Sequence, residues 1–192
     1  FELKVQVEQG KLPEPDYIYL PLGSIGTAVG LMLGLKACGL KSRVVAVRVV
    51  PLELANESSV IKLYHETSSF LNRQDGSFPR YELPADQLDL RHNFFGSHYA
   101  RYTEEGVRAM DLLQQREGIT LEGTYTGKAF AALMDDAGSG KLRDKTVLFW
   151  NTYNSRDFLA QIKNIDYKKL PAQLQRYFLE NFQSLDRRAA SS

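Results

Sequence analysis

Apolar and polar residues alternate with different periods along the chain, and the periods predict the elements. Tyr17-Ile-Tyr-Leu-Pro-Leu22 is nearly all apolar and reads as a strand buried on both faces. It runs into Gly23-Ser24-Ile25-Gly26-Thr27, after which an Ala/Gly/Leu-rich helix extends to Gly39. Arg43 to Val50 is β-branched and apolar, a second buried strand closed by Pro51. From Asn56, a candidate N-cap, Val60, Leu63, Tyr64, Thr67, Phe70 and Leu71 recur at helical spacing and predict a helix to about Asn72. Residues 73–101 lack periodicity and are punctuated by Gly76, Pro79, Pro84 and Gly96, a long connection with room for one short strand.

The second half continues the alternation. Thr103 caps a helix whose buried face is Val107, Met110 and Leu113 and which Gly118 ends. Ile119-Thr-Leu121 reads as a short strand, and a further helix opens on Thr126 and runs to about Met134. Lys141 to Lys145 is a polar link, and Thr146-Val-Leu-Phe-Trp150 is another buried strand. Leu170, Leu174 and Phe178 predict an inward face on a C-terminal helix from Leu170 to about Phe182, followed by a frayed tail at 183–192. At the N-terminus, Phe1 to Glu8 alternates with period two and reads as a strand, with a short helix ending at Gly10 as the competitor. Strands alternating with helices predict one α/β domain over residues 1–192, with a mainly parallel, twisted sheet flanked by helices.

Composition narrows the function. The 192 residues are 43% hydrophobic and 24% charged with a net charge of +1, ordinary for a globular domain and without the basic excess that nucleic acid or an anionic membrane would attract. No run is long enough to span a membrane. One cysteine, Cys38, falls in the apolar helix, where packing is its expected role, and fits a reducing cytoplasm. Three scattered histidines make no metal site.

Chemistry points to the glycine turn. A strand, a tight turn and a helix aim backbone N–H groups and the positive end of the helix dipole at one place, which suits a phosphate. Ser24 and Thr27 add hydroxyls. The turn is not Gly-x-Gly-x-x-Gly, and Gly138-Ser-Gly-Lys141 lacks the spacing and the Ser or Thr of a P-loop, so it reads as a helix-ending turn. In a parallel sheet, ligands gather at the carboxyl ends of the strands. That places three segments together: the glycine turn, Tyr125-Thr126 and Thr152. Asn93 to Ala100, with two hydroxyls and an imidazole beside Gly96, is a further candidate.

Three of these segments together resemble the fold-type II pyridoxal-phosphate enzymes, in the branch that holds D-cysteine desulfhydrase and 1-aminocyclopropane-1-carboxylate deaminase. Pro15-Asp-Tyr-Ile-Tyr with Gly23-Ser-Ile-Gly-Thr-Ala-Val-Gly-Leu31 resembles that branch's phosphate turn. Glu117-Gly-Ile119 followed by Tyr125-Thr-Gly-Lys128 is similar to its second signature, and Val147-Leu-Phe-Trp-Asn-Thr152 to its last strand. The resemblance covers residues 1 to about 155 and favours helix at Phe1 to Gln6. It implies the large cofactor domain of the tryptophan synthase β-like fold and pyridoxal 5′-phosphate as cofactor. Gly23, Ser24, Ile25, Gly26 and Thr27 would hold the phosphate, Thr126 would belong to the cofactor site, Thr152 would face the pyridine nitrogen, and Tyr99 and Tyr125 would stand over a small amino-acid substrate.

The same resemblance implies a lyase or deaminase whose Schiff-base lysine lies in an N-terminal half without a counterpart here, so that the chain would associate with that half or with a second copy. Lys128 matches a signature lysine that is not the Schiff-base residue. Two departures support an alternative, a diverged non-catalytic relative serving as a binding module. Ile25 stands where the family has glycine and is expected to narrow the approach to the phosphate. Tyr153-Asn154 stands where it has Gly-Gly, and Tyr153 would crowd the ring.

Overall fold

The computed structural model describes residues 1–84, 87–154, 156–179 and 183–185, which fall into two compact units, Phe1–Thr152 and Tyr153–Ser192. The first unit is organised by strand β1, Tyr17–Leu22. It pairs in parallel with β2, Arg43–Arg48, on one side and with β4, Val147–Phe149, on the other; β3, Asp89–Arg91, extends the sheet beyond β2 in the order β3-β2-β1-β4. The strands are parallel throughout, as the alternation of strands and helices predicts.

Side-chain alternation along these strands builds two cores. Ile18, Leu20, Leu22, Val44 and Ala46 face one side, where they pack with Ala28, Val29, Met32 and Leu33 of α2, Gly26–Cys38, and with Val60 and Tyr64 of α3, Glu57–Gln74. Val47 and Phe149 face the other side and meet Ala129 and Ala132 of α5, Thr126–Gly138. Helix α4, Glu104–Glu117, packs against α5. Pro21 is tolerated in the central strand because β4 accompanies β1 only as far as Tyr19, whose carbonyl accepts from Trp150 N. Tyr19 and Pro21 point their backbone polar groups to the same side, so the absent N–H falls beyond the ladder.

Caps end the helices where the sequence places them. Asn56 accepts from Ser59 N while Ser59 Oγ accepts from Asn56 N, a reciprocal box that opens α3. Thr103 accepts from Gly106 N to open α4, and Gly118, at φ +67°, closes it. Cys38 is buried at the end of α2.

Several expectations are corrected. Residues Glu2–Glu8 form helix α1, as the resemblance implied and the period-two pattern did not; Leu3 packs on the main core and Lys4 Nζ donates to Cys38 O at 2.8 Å. Ile119-Thr-Leu121 is not a strand: only Leu121 is buried, and the segment leads directly into the turn before α5. Phe70 is half exposed because α3 turns Val60, Tyr64 and Ser68 inward, a stripe displaced from the apolar one. β4 is half-buried, since it lies at an edge of the sheet.

In the second unit the single C-terminal helix is replaced by short pieces: α6, Leu159–Ile162; a 3-10 turn, Tyr167–Lys169; α7, Ala172–Gln175; and a second 3-10 turn, Arg176–Phe178. Leu174 and Phe178 are about half exposed rather than inward, and Phe178 stacks on Tyr167 at 5.1 Å. Pro171 opens α7, and four residues are too few to bury an amphipathic stripe. Residues 180–182 of the expected helix and 186–192 of the expected tail lie outside the described residues.

A buried polar cluster joins three elements. Asp136 of α5, 3% exposed, accepts from Tyr19 Oη at 2.5 Å, from Arg91 at 2.8 and 2.9 Å, and from Lys141 Nζ at 3.2 Å. Burial pushes the Asp136 carboxyl up, but the Tyr19 hydrogen bond and the Arg91 and Lys141 cations outweigh it and hold it below the usual carboxylate range. A carboxylate with a depressed pKa stabilises the fold above its unfolded pKa, and the contribution is lost as pH falls through the folded value. Asp136→Asn is expected to cost roughly 3 kcal/mol, near the lower end for breaking a buried pair because Arg91 and Lys141 are part-exposed. Urea unfolding measures it: the gap between wild type and variant should close in acid and stay open at neutral pH.

Candidate functional site

The carboxyl ends of β1 and β2 open into a cavity of about 650 Å³ lined by Gly23, Ser24, Val50, Pro51, Leu54, Tyr99 and Tyr125. Its floor is the turn from β1 into α2. The helix has no side-chain N-cap, and Ser24, Gly26 and Thr27 are exposed. The first N–H groups of a helix lack intrahelical partners, so an uncapped, exposed first turn offers donors and a positive dipole end to an anion.

Ile25 adopts φ +70°, ψ −32°, a conformation natural to glycine and costly for a β-branched residue. Its side chain is 9% exposed and belongs to the core with α2 and β1. The expected narrowing of the phosphate approach is therefore corrected: Ile25 presents only its backbone to the turn. Core packing of the side chain offsets a backbone strain on the order of 1–3 kcal/mol.

Two tyrosines stand at this turn. A Cβ built on Gly23 would lie 3.4 Å from the Tyr125 ring, within ordinary van der Waals contact, so the ring lies beside the turn. The hydroxyls of Tyr125 and Tyr99 hydrogen-bond to one another, with the rings edge to face at 6.2 Å. Donation of its hydroxyl hydrogen to Tyr99 and burial push the Tyr125 phenol up to about 12, so it is protonated at neutral pH.

Tyr125 is held by its own turn. Glu122 accepts through its side chain from Thr124 N at 2.7 Å, Tyr125 N at 2.8 Å and Thr126 N at 2.7 Å, satisfying the first donors of α5. Thr126 is 1% exposed, and its hydroxyl accepts from Glu122 N at 3.0 Å. Among the described residues it does not line the cavity. Thr152 follows the carboxyl end of β4 and is exposed. Tyr153 falls in the second unit.

The structure thus joins Gly23, Ser24, Tyr99 and Tyr125 around one cavity, sets Gly26 and Thr27 on the uncapped helix end, and leaves Thr126 inside the Glu122 turn. The sequence reading missed Val50, Pro51 and Leu54 as an apolar wall; a proline directly after a buried strand at the ligand end of the sheet was the available signal. It also missed Glu122, whose place four residues before the helical Thr126 marks a capping acid. Among the described residues no group of acidic, His and Cys side chains can hold a metal ion, and no helix is long and apolar enough to cross a membrane.

Known proteins resemble this chain in sequence and fold. The sequence pattern of the family described as "Pyridoxal-phosphate dependent enzyme" matches residues 1–152. A D-cysteine desulfhydrase of Yersinia enterocolitica is 34% identical over 131 residues, covering 68% of this chain and 37% of that protein. The nocardicin C-9′ epimerase of Nocardia uniformis is 29% identical over 150 residues, covering 76% of this chain and 42% of that protein. The crystal structure of an ACC deaminase homologue superposes with a TM-score of 0.63 at 28% identity, covering 78% of this chain and 42% of the other. The chain therefore spans about two fifths of the length of the curated relatives it matches.

The strained turn makes a prediction of unusual sign. In ordinary backbone, glycine is less stable than alanine by about 1 kcal/mol. At position 25 both Ile25→Gly and Ile25→Ala lose core packing, but only glycine relieves the strain, so Ile25→Gly should be the more stable of the two by about 1 kcal/mol. Urea midpoints of the two variants read this directly, and an alanine variant that is the more stable would show the turn to be unstrained.

Proposed function

Because this chain belongs to the pyridoxal-phosphate dependent enzymes, we propose that it forms the phosphate-holding and ring-facing part of a lyase or deaminase that acts on a small amino acid. The carrying observation is the pairing, across one cavity, of an uncapped helix end with two hydrogen-bonded tyrosines. The D-cysteine desulfhydrase name of its relatives supports a D-amino acid such as D-cysteine, converted to a keto acid, ammonia and sulfide. The ACC deaminase homologue supports a cyclic amino acid as the competing substrate.

The exposed donors of the glycine turn fit a dianionic phosphate. Gly26 and Thr27 supply N–H groups, Ser24 and Thr27 supply hydroxyls, and Gly23 and Ile25 shape the backbone. When bound, pyridoxal phosphate supplies an electron sink for the bonds at the amino acid's α-carbon. Thr152 would offer a neutral hydroxyl to the ring nitrogen. The protonated pair uses one hydroxyl hydrogen between Tyr125 and Tyr99 and leaves the other free to donate to the substrate or its leaving group, each ring orienting its partner. Thr126 acts through the turn that seats Tyr125. The apolar wall of Val50, Pro51 and Leu54 fits a small side chain without charge.

Among the described residues no lysine lines the cavity, and Lys128 is fully buried elsewhere. The covalent anchor of the cofactor is therefore proposed to come from outside these residues, from the rest of a longer protein. Localisation in the cytoplasm is part of the same proposal.

Amide NMR of the chain during titration tests the cradle without requiring turnover. Pyridoxal phosphate should shift the amides of Ser24, Gly26 and Thr27, and pyridoxal without phosphate should not. Ser24→Ala should weaken binding about tenfold, the worth of one hydrogen bond to a charged group. Shifts confined to Lys41, Arg43 and Lys145, which with Glu14 and Asp16 line a charged cavity at the opposite end of the strands, would reject the assignment.

A further inference from the structure

Lys128 is a buried cation at the centre of the α4–α5 packing, fully buried in a domain where most charges are solvated. Burial pulls its ammonium down to about 8, against the opposing pull of the Glu122 carboxylate. Such a residue is costly to fold, and replacement by an apolar side chain of similar size is often neutral or stabilising. Its hydrogen bond shows what it holds. Nζ donates to the backbone carbonyl of Phe95 at 2.6 Å, in the irregular connection between β3 and α4, and lies 5.4 Å from the centre of the Phe95 ring.

A second cation meets the same ring. The Arg48 guanidinium, at the carboxyl end of β2, lies 4.7 Å from the Phe95 centroid. It also donates to His92 Nδ1 at 3.0 Å, to the His92 carbonyl at 3.2 Å and to the carbonyl of Val50, a cavity residue, at 2.6 Å. His92 Nε2 in turn meets Glu57 of α3 at 2.9 Å. Donation from Arg48 assigns Nδ1 as acceptor and leaves Nε2–H to bond Glu57. The start of the connection is thus tied to β2 and α3, and its Phe95 to both β2 and α5.

The far end is wedged as well. A Cβ on Gly123 would lie 2.5 Å from the Tyr102 ring, so that ring lies directly on the turn that carries Tyr125. A Cβ on Gly96, at φ +79°, would lie 2.8 Å from Thr103 Cγ2. Between these anchors the chain is exposed and takes positive φ at Gly96 and Ala100. Tyr99 sits on this span, and its hydroxyl still meets Tyr125.

We propose that Lys128 and Arg48 are positioning residues for Tyr99: by gripping Phe95 they fix the connection from His92 to Tyr102 so that the Tyr99 hydroxyl lies against Tyr125. The inference rests on the proposed role of the tyrosine pair, but its geometry is independent of any cofactor. Lys128 spends a buried charge on a loop carbonyl, and the loop gains a fixed point beside the cavity. Cation–π attraction and a charge-assisted hydrogen bond act on the same residue, so either cation alone leaves the span partly held.

Hydrogen exchange by mass spectrometry on the full chain tests this, with Lys128→Met and Phe95→Ala as variants and Tyr99→Phe as the reference for a lost tyrosine bond. Both variants should speed exchange over 96–101 by about tenfold or more, the factor one charge-assisted hydrogen bond is worth. Amides of β1 and β2 should keep their protection. Titration of ¹³Cζ-labelled tyrosine should show the Tyr125 phenol falling from about 12 toward the value it takes in Tyr99→Phe. Wild-type exchange over 96–101 together with an unchanged Tyr125 titration would overturn the proposal and leave Lys128 a core cation. If Lys128→Met does not fold, Phe95→Ala decides by the same two readings, since Phe95 is only half-buried. Failure of wild type to bind pyridoxal phosphate, with the loop results as expected, would reject the functional reading and leave the clamp standing.

Discussion

Strand β1 is buried on both faces and paired on both edges, and the site depends on that constraint. A strand without access to water must satisfy its backbone groups by its neighbours. The parallel registers Tyr17↔Arg43 and Tyr17↔Val147 do so, and they bring the carboxyl ends of β1, β2 and β4 to the same edge of the sheet. Asp16 sets this alignment before the strand begins: its backbone pairs with Thr146 and Arg43, and its carboxylate accepts from Thr146 N at 2.8 Å and Lys145 Nζ at 3.1 Å. At the other end the chain turns at once into α2, and no side chain caps the first N–H groups of that helix.

Ile25 shows how this geometry is held. Its backbone takes a glycine conformation while its side chain is embedded in the core shared by β1 and α2. Packing enforces a turn that the local preference of isoleucine resists, and local strain supported by surrounding structure is characteristic of functional turns. The same division of labour recurs at Tyr125. Glu122 and Thr126 take up the backbone of the turn, and the phenol is left to meet Tyr99.

Elements whose burial repeats with a clean period were legible in the sequence: β1, β2, α2, and the capped helices α3 and α4. The glycine turn was legible through its place between a buried strand and a helix, and Tyr99 and Tyr125 only through the family resemblance. Misread segments had a pattern that tertiary contacts overrule. Val5 and Val7 alternate like a strand, yet residues 2–8 are helical, with Leu3 resting on the core. Ile119 is apolar but exposed, because the residues after α4 serve the turn that positions Tyr125. The Tyr19–Asp136–Arg91 cluster was invisible, since its members are 117 and 45 residues apart and a lone charge in an amphipathic pattern looks solvated. Lys128 was hidden for the same reason: as part of a signature it could be read only by likeness, and its burial appears only when α4, α5 and Phe95 are assembled.

The account assigns this chain the phosphate cradle and the tyrosine pair while placing the covalent anchor elsewhere. Borohydride reduction of the chain with one equivalent of pyridoxal phosphate, followed by peptide mass spectrometry, tests that division most directly. The account predicts no stoichiometric adduct on any single lysine, and in particular an unmodified Lys128, whose amine is buried beneath Phe95. A stoichiometric adduct on one lysine of this chain would contradict it, because the anchor would then lie within these residues and the cavity would have to be rebuilt around it.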